Sequence, residues 1–406
     1  MPGPFSHIRV LDLSRILAGP WAAQCLADLG AEVIKIERPG EGDDTRGWGP
    51  PFLKTPSGEA GDAAYFAAAN RGKRSVTIDM AKAGGQALIQ RLAAQSDVLI
   101  ENFKVGGLKQ YGLDYASLAP LNPGLIYCSI TGFGQTGPYA RRAGYDFMIQ
   151  AMGGIMSVTG QPDGTPGGEP LRCGVAFADV FTGVYATVAI AAALTHRERT
   201  GEGQHIDMAL LDCQVAVLAN QALNYLVGGQ APGRHGNAHP NIVPYQTFAT
   251  ADGHLALAVG NDRQFAAFCR IAGLPSLAAD PRFGTNRARV ANREALVAMI
   301  AEAVAKRPTA AWIAELEPAS VPCGPINTIE QVFADEQVKA RGLRIDLARP
   351  DGTAVPGVAN PIRLSGTPVE YSRAAPALGA DTDEMLAQLG LTSDEIGSLR
   401  QSGAIG

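Results

Sequence analysis

The sequence predicts an α/β protein with a doubly wound, Rossmann-like large domain and a smaller α+β domain. Two observations carry this prediction. Over residues 1–135, short β-branched runs alternate with helical patterns, and the runs are apolar throughout, as in strands covered on both faces. From about residue 241, an alternating segment turns around Asp252-Gly253, a hairpin signal, and several helices follow it.

The first part of the chain supplies the elements of the predicted parallel sheet. The strands are "RVLDLS", "EVIKIER", "SVTIDM", "DVLIENF" and "LIYCSIT", and the intervening helices are "AGPWAAQCLADLG" and "GGQALIQRLAAQS". Ligands of such sheets bind at the carboxyl ends of the strands, so we expect the functional site at that edge.

Composition changes along the chain predict the domain boundaries. The large domain is expected over residues 1–200, and a segment of strands, turns and two short amphipathic helices, residues 341–406, completes it. Residues 201–240 include a stretch rich in glycine, proline and histidine and are expected to form a linker. The smaller α+β domain is expected over residues 241–340.

Composition also excludes several classes of protein. With 406 residues and 46% hydrophobic content, the chain is expected to bury large cores. A formal net charge of -5 without a basic cluster argues against nucleic-acid and membrane-surface binding. The six cysteines lie far apart without a metal-ligand spacing, and the N-terminus lacks an export signal, so we expect a cytoplasmic protein without a structural metal.

One acid interrupts an apolar stretch. Residues 173–194 are mostly apolar or small, and Asp179 lies among them. An Asp in mid-span costs roughly 2.5 to 3.5 kcal/mol on membrane-insertion scales, which favours a buried helix over a membrane span. The residues alone leave two roles open for Asp179: the N-cap of the helix, or a poorly solvated carboxylate that acts as a nucleophile.

Three further motifs give only weak indications of ligand binding. "GFGQTG", residues 132–137, matches a dinucleotide fingerprint, but Pro138 follows where its helix should already run. We interpret it as a glycine-rich turn that lets the backbone approach a ligand or another chain. Arg38 ends the second predicted strand, where it either binds a phosphate on a ribose or is only a solvated charge. The motif "NRGKRS", residues 70–75, is either an anion-binding site or a polar loop.

Together these motifs resemble the family III CoA-transferases. The resemblance covers nearly the whole chain through "RVLDLSRILAGP", "GAEVIKIERPGEGD", "NRGKRSVTIDM", "ENF", "GFGQTGP", "GYD", the Asp179 segment, "RERTGEGQHIDMAL" and "VPCGPI". It implies an enzyme that uses coenzyme A and acyl-CoA as substrates together with a small carboxylic acid, and that keeps no permanently bound cofactor. It also implies an interlocked homodimer, with each monomer threaded through the other.

The resemblance assigns roles to individual residues. Asp179 corresponds to the nucleophile, Tyr145 and Asp146 belong to the active site, and Gly260 and Asn261 lie in a glycine loop that closes over the intermediate. The residues expected to bind CoA are Ile16, Ala18, Arg38, Lys73, Arg74, Asn102 and Phe103. Leu17 stands where the formyl-CoA enzyme has Gln, so formate and oxalate are poor substrate candidates.

Within the family, "HGNAHPNIVPYQTF", "GNDRQF" and "VPCGPINTIEQVFADEQV" look most like the branch that moves CoA from succinyl-CoA to dicarboxylates such as glutarate. The free carboxylate of such an acceptor needs a cation or several donors. Candidates are Arg15, Arg142, His235 and His239, and each could equally be an ordinary surface residue.

Two other functions stay open from the sequence. The α-methylacyl-CoA racemases, a divergent branch, use a His and an Asp as a pair of bases, but this chain has Tyr145 at the place of the His. A phenol is a poor substitute for an imidazole as a base near neutral pH. A non-catalytic CoA-binding protein is the second alternative, although it would not need Asp179.

Overall fold

A computed structural model describes residues 2–406. Its strands are β1 (Arg9–Asp12), β2 (Glu32–Glu37), β3 (Phe52–Lys54), β4 (Ala60–Ala63), β5 (Lys73–Thr77), β6 (Val98–Glu101), β7 (Ile126–Thr131), β8 (Gln204–Ala209), β9 (Tyr245–Ala249), β10 (His254–Ala258), β11 (Cys323–Pro325), β12 (Arg344–Ala348) and β13 (Ala354–Val358). Its α-helices are α1 (Ala18–Asp28), α2 (Ala64–Ala69), α3 (Ala83–Ala94), α4 (Tyr115–Leu118), α5 (Asp146–Met152), α6 (Ile155–Val158), α7 (Phe177–Thr200), α8 (Leu210–Ala216), α9 (Ala219–Gly228), α10 (Asp262–Ile271), α11 (Pro275–Ala279), α12 (Asn286–Ala291), α13 (Arg293–Val304), α14 (Thr309–Leu316), α15 (Ile329–Ala334), α16 (Glu336–Ala340), α17 (Thr382–Gln388) and α18 (Ser393–Gln401).

The main sheet of the described chain has six parallel strands in the spatial order β5-β2-β1-β6-β7-β8. Numbered by their occurrence within this sheet, the order is 3-2-1-4-5-6, the arrangement of Rossmann dinucleotide-binding domains. The order reverses between β1 and β6. A mixed α/β fold with a parallel central sheet is therefore confirmed, and all five predicted strands and both predicted helices are present.

Helices cover both faces of this sheet, which explains why its strands are almost continuously apolar. On one face, side chains of α1 and α7 pack on β-strand residues such as Val10 and Ile126. On the other, α3, α17 and α18 pack around Leu11 and Leu99. Because both faces are closed, the carboxyl edge of the sheet is where loops are free to form a site.

The apolar stretch around Asp179 forms the long helix α7. Its small residues allow close packing on α1, since a side chain at Gly183 would overlap the Ala18 carbonyl and Trp21. Val188 and Tyr185 stay exposed on another side of the helix. Among residues 2–406, α7 alone is long and apolar enough to cross a membrane by length and composition, a test that a core helix also passes.

The chain divides into two compact units. The larger contains the residues up to Ile155, Cys173–Ala222 and Glu336–Gly406, and the smaller contains Met156–Arg172 and Leu223–Asp335. The predicted boundaries differ from these units at residues 156–172, 201–240 and 336–340. Much of the predicted linker is regular structure, because residues 204–209 form β8 and pair along β7.

The smaller unit is built on the antiparallel strands β9, β10 and β11. The hairpin predicted at Asp252-Gly253 connects β9 to β10, and helices α10 to α14 contribute to a core that includes Phe268 and Trp312. In the larger unit, the segment after residue 341 forms the β12–β13 hairpin and then α17 and α18, as the sequence predicted.

Candidate active site

A cavity of about 710 Å³ opens at the carboxyl ends of the parallel strands. It lies at the point where the strand order reverses, the usual ligand position in open α/β sheets. Nine of the residues that the sequence singled out line it: Arg15, Ile16, Ala18, Arg38, Asn102, Phe103, Arg142, Tyr145 and Asp179.

Asp179 lies in the first turn of α7 and is partly buried on the cavity wall. The N-cap residue of this helix is Ala176, so the alternative role of Asp179 as the N-cap is wrong. Burial raises the pKa of the Asp179 carboxyl to about 7, and the neighbouring Asp146 carboxylate contributes to the rise. A carboxylate with a raised pKa is a stronger nucleophile when ionised.

Asp146 holds the beginning of α7 in place. Its Oδ1 accepts hydrogen bonds from the backbone N–H of Ala178 at 2.8 Å and of Asp179 at 3.3 Å. Its Oδ2 accepts from Gln150 Nε2 at 2.7 Å, and the buried Gln150 in turn accepts from the Cys173 N–H at 2.8 Å. Asp146 thus satisfies free amides of the helix terminus and fixes the backbone at Asp179.

The turn after β1 has a strained backbone. Ile16 has a φ of 72°, a left-handed conformation that is rare for a β-branched residue. Its N–H donates to both carboxylate oxygens of Asp43 at 3.3 Å. The neighbouring Arg15 is held by Asn102, whose Oδ1 accepts from the Arg15 N–H at 2.9 Å and whose Nδ2 donates to the Arg15 carbonyl at 2.6 Å. The two bonds between Arg15 and Asn102 join the loop after β1 to the loop after β6, at the point where the strand order reverses.

Arg38 follows β2 and reaches the cavity with most of its side chain exposed. It forms an ion pair with Glu41 at 3.0 Å, and 67% of each side chain is accessible. An exposed pair of this kind stabilises the fold little, so the guanidinium is free to bind an anionic ligand.

Lys73 and Arg74 lie elsewhere, which corrects their predicted contact with CoA. Lys73 is fully buried, and its ammonium donates to Asp12 at 2.8 Å and to Asn70 at 2.9 Å. Burial lowers the pKa of Lys73 to about 8, although the Asp12 carboxylate opposes the decrease. Arg74 pairs with Glu384 at 2.8 Å and lines a separate cavity of about 510 Å³.

Several residues near the site had no clear signal in the sequence. Burial raises the pKa of the Tyr65 hydroxyl, and the Asp179 and Asp146 carboxylates contribute, so this hydroxyl lies within electrostatic range of both acids. Tyr65 also packs edge-on against Trp48, with ring centroids 5.4 Å apart. Lys104 lines the cavity directly after the "ENF" motif, where its position could have indicated a ligand contact.

The "GFGQTG" motif packs against the chain itself. Gly132 and Gly144 are so close that a side chain on either would overlap the backbone of the other. This contact holds the glycine-rich turn against the "GYD" segment that carries Tyr145 and Asp146. Arg142, in the same segment, lies over the Tyr139 ring at 4.5 Å from its centroid.

The remaining predicted residues belong to the smaller unit. Asn261 is the N-cap of α10, and its Oδ1 accepts from the Gln264 N–H at 2.9 Å. The Gly260 N–H donates to Gln264 Oε1 at 2.8 Å. Burial lowers the pKa of both His235 and His239, with Arg293 contributing, and the His239 ring lies 5.2 Å from that of Tyr245.

The fold and the cavity define an α/β ligand-binding protein with a candidate nucleophilic carboxylate at the reversal point of its sheet. The model of CoA-transferase family III matches residues 5–382, and the chain belongs to this family.

Three similar proteins support the same assignment. The chain is 57% identical to a succinate–glutarate CoA-transferase of Agrobacterium fabrum, covering 95% of this chain and 96% of the relative. It is 43% identical to the human succinyl-CoA:glutarate CoA-transferase, covering 99% and 90% respectively. The crystal structure of a CAIB/BAIF family protein from Brucella suis superimposes with a TM-score of 0.85 at 56% identity, covering 96% of this chain and all of the other.

Proposed function

We propose that this protein transfers CoA from succinyl-CoA to glutarate, with Asp179 as the nucleophile. The observation that carries the proposal is a half-buried carboxylate with a raised pKa on the wall of the main-sheet cavity. Two relatives, from Agrobacterium fabrum and human, are named for transfer between these acids, which supports the choice of donor and acceptor.

In the proposed reaction, a carboxylate oxygen of Asp179 attacks the thioester carbonyl of succinyl-CoA. The C–S bond breaks, which gives a mixed anhydride and the CoA thiolate. The thiolate then attacks the aspartyl carbonyl and releases succinate, leaving CoA as a thioester on Asp179. A glutarate carboxylate attacks this thioester, its C–S bond breaks, and a glutaryl–aspartyl anhydride and the CoA thiolate form. The thiolate then attacks the glutaryl carbonyl, which gives glutaryl-CoA and releases the Asp179 carboxylate. Because each step conserves one activated acyl bond, we propose that the reaction needs neither ATP nor a resident cofactor.

Residues around the cavity are proposed to serve this sequence. Ile16, Ala18, Asn102 and Phe103 would bind the nucleotide part of CoA, because they line the same cavity as Arg38. The Tyr145 hydroxyl would stabilise a developing oxyanion. Gly260 and Asn261 remain proposed members of a closing loop; the Gly260 amide would have to leave Gln264 before it could bind an oxyanion.

Arg38→Ala is expected to weaken CoA binding by about 1.5 to 3 kcal/mol, the usual range for a hydrogen bond to a charged group. The physical reason is the loss of an exposed guanidinium that would bind a phosphate of CoA. Isothermal titration calorimetry with CoA measures the change. Arg344→Ala is the matched control, because Arg344 is also exposed and paired with a carboxylate. An unchanged dissociation constant for Arg38→Ala would reject the assignment.

The transfer rate is expected to rise with pH through a midpoint near 7. Asp179 attacks only when ionised, and burial places its pKa at about 7. Asp146→Asn removes the neighbouring charge and should move the midpoint to lower pH, although burial keeps it above the ordinary value for Asp. The pH dependence of kcat/KM for succinyl-CoA measures both midpoints. A flat profile between pH 5.5 and 8.5 in the unmodified protein would contradict the role of Asp179.

Glutarate is expected to react with a kcat/KM at least about tenfold above that of valerate. The reason is that the second carboxylate of glutarate must be bound by a cation or hydrogen-bond donors, since burying it without a partner would cost free energy. Of the cations predicted to bind the free carboxylate, Arg15 and Arg142 line the cavity, and Arg15 already pairs with Asp44 at 3.1 Å. Arg142→Gln should reduce the preference, and Arg141→Gln serves as its control. Equal rates with both acids would show that the free end is not recognised.

We further propose that the active form is the interlocked homodimer of the family, in the cytoplasm. Large exposed apolar side chains support an interface: Val188 on α7 is 60% exposed, and Leu226 and Val227 on α9 are 71% and 84% exposed. The free state of the cysteines in the described chain fits a reducing compartment. Light scattering after gel filtration should give twice the mass of the chain, and a monomeric mass at micromolar concentration would contradict the dimer.

The direct test of the overall activity is to incubate the protein with succinyl-CoA and a panel of carboxylic acids. Mass spectrometry then identifies each new acyl-CoA. Glutaryl-CoA is expected as the main product. If other acids give acyl-CoA products but glutarate does not, CoA transfer stands and the proposed acceptor is wrong. If no new acyl-CoA forms, the proposed transfer activity is wrong.

A further inference from the structure

Glu101 is a buried acid directly beside the cavity that the proposed reaction leaves unused. It ends β6, is 6% exposed and immediately precedes Asn102 and Phe103, which line the cavity. Its Oε2 accepts a hydrogen bond from the Phe103 N–H at 2.8 Å. The carboxylate therefore bonds to the backbone of a turn on which the cavity wall depends.

Glu101 also belongs to a polar chain that crosses three neighbouring strands. Its side chain is hydrogen-bonded to Ser129 on β7, and Ser129 Oγ lies 2.9 Å from His205 Nε2 on β8. The His205 ring stacks on Tyr115 with centroids 5.2 Å apart. This chain holds the Glu101 carboxyl in one orientation.

The other titratable groups around Glu101 supply no positive charge to balance it. Tyr127 donates its hydroxyl hydrogen to the Leu113 carbonyl, Cys128 lies on the adjacent strand β7, and Asp207 lies on β8 beyond it. Asp114 adds a negative charge near Tyr127, and burial lowers the pKa of His205. Within residues 2–406, no salt bridge involves Glu101.

An ionised Glu101 therefore destabilises the fold. Burial raises its pKa to about 7, above the ordinary value near 4.5, while the bonds from Ser129 and Phe103 only limit the rise. A carboxyl whose pKa is raised on folding costs stability that is absent at pH 4 and grows as pH increases to 7. If this position only stabilised the fold, an uncharged side chain would be expected there instead of a carboxyl that ionises.

We propose that Glu101 is a positioning residue for CoA, whose carboxylate holds the Phe103 amide and so orients the Asn102–Phe103 turn against the nucleotide. This inference rests on the proposed binding of CoA in the main-sheet cavity. A negatively charged acceptor makes a stronger hydrogen bond to an amide than a neutral one does. The ionised form therefore fixes the turn better, at the expense of stability.

The test is Glu101→Gln, which keeps the shape and an acceptor oxygen but removes the charge. Both forms are compared in the Asp179→Asn background, so that Asp179 does not titrate. Calorimetry gives the dissociation constant of CoA from pH 6 to 8.5, and thermal denaturation gives the stability at the same pH values. Titration of the CoA phosphates is common to both forms and cancels in the ratio. Glu302→Gln, an exposed glutamate on α13, is the control.

At pH 8, Glu101→Gln is expected to raise the melting temperature and to weaken CoA binding roughly five- to tenfold. At pH 6 the two forms should bind CoA nearly equally, because the native side chain is then mostly protonated. Equal binding at every pH would overturn the inference while leaving the proposed function intact. Weaker binding together with lower stability would show a structural role and would also overturn it. Failure of both forms to bind CoA would instead contradict the proposed function.

Discussion

Asp179→Asn is expected to lower the rate of CoA transfer by a factor on the order of 10³ or more, while the protein still folds and binds CoA. The amide keeps the size of the side chain but cannot form the anhydride or the aspartyl-CoA thioester. Each decade of rate corresponds to about 1.4 kcal/mol of activation free energy, so the expected loss exceeds the effect of one misplaced hydrogen bond. Steady-state assays with succinyl-CoA and glutarate measure it.

The matched control is Asp212→Asn, because Asp212 also lies in the first turn of a helix but is exposed. Its transfer rate should stay near that of the unmodified protein. Retention by Asp179→Asn of more than about a tenth of the original turnover would contradict the role of nucleophile. Circular dichroism and CoA calorimetry on the same samples show whether a loss comes from chemistry or from unfolding.

Lys73→Met is expected to lower the free energy of unfolding by about 3 to 5 kcal/mol, the usual effect of removing one partner of a buried ion pair. Asp12 would stay buried, and the nearby Lys35 would be the cation left to balance it. Asn70 would also lose the donor that its side-chain oxygen accepts from. Urea denaturation followed by circular dichroism measures the loss of stability.

Lys306→Met is the control for this experiment, because Lys306, just after α13, forms an exposed pair with Glu302 and its loss should change stability by less than about 1 kcal/mol. The folded fraction of Lys73→Met should bind CoA with unchanged affinity, since Lys73 does not line the cavity. A stable variant that has lost CoA binding would restore Lys73 as a ligand and contradict its structural role.

Much of the parallel sheet could be predicted from sequence because its strands are buried on both faces and therefore continuously apolar. β8 was missed, although it lies in the same sheet. Its sequence, "QHIDMA", alternates polar with apolar residues, and it is exposed at several positions because it is the edge strand. The linker was assigned from the stretch rich in glycine, proline and histidine that lies further along the chain, and β8 falls within its predicted bounds.

The site was predicted unevenly. Asp179 could be singled out because a single acid in an apolar run is conspicuous, but the residues alone left its role open, and only the family resemblance assigned it as the nucleophile. Lys73 was misplaced because a cation next to a glycine resembles an anion site, whereas the first residue of β5 points its side chain into the protein. Tyr65 and Gln150 gave no signal, since their positions in the neighbourhood of Asp146 and Asp179 arise only from tertiary packing.

The central claim is that CoA becomes covalently attached to Asp179 during transfer. The most direct measurement is to mix the protein with succinyl-CoA, quench with acid, digest, and locate CoA adducts by tandem mass spectrometry. We expect a CoA thioester on the peptide that contains Asp179, and we expect it to disappear when glutarate is added before the quench. Formation of glutaryl-CoA without an adduct on Asp179, or with an adduct on another residue, would contradict it.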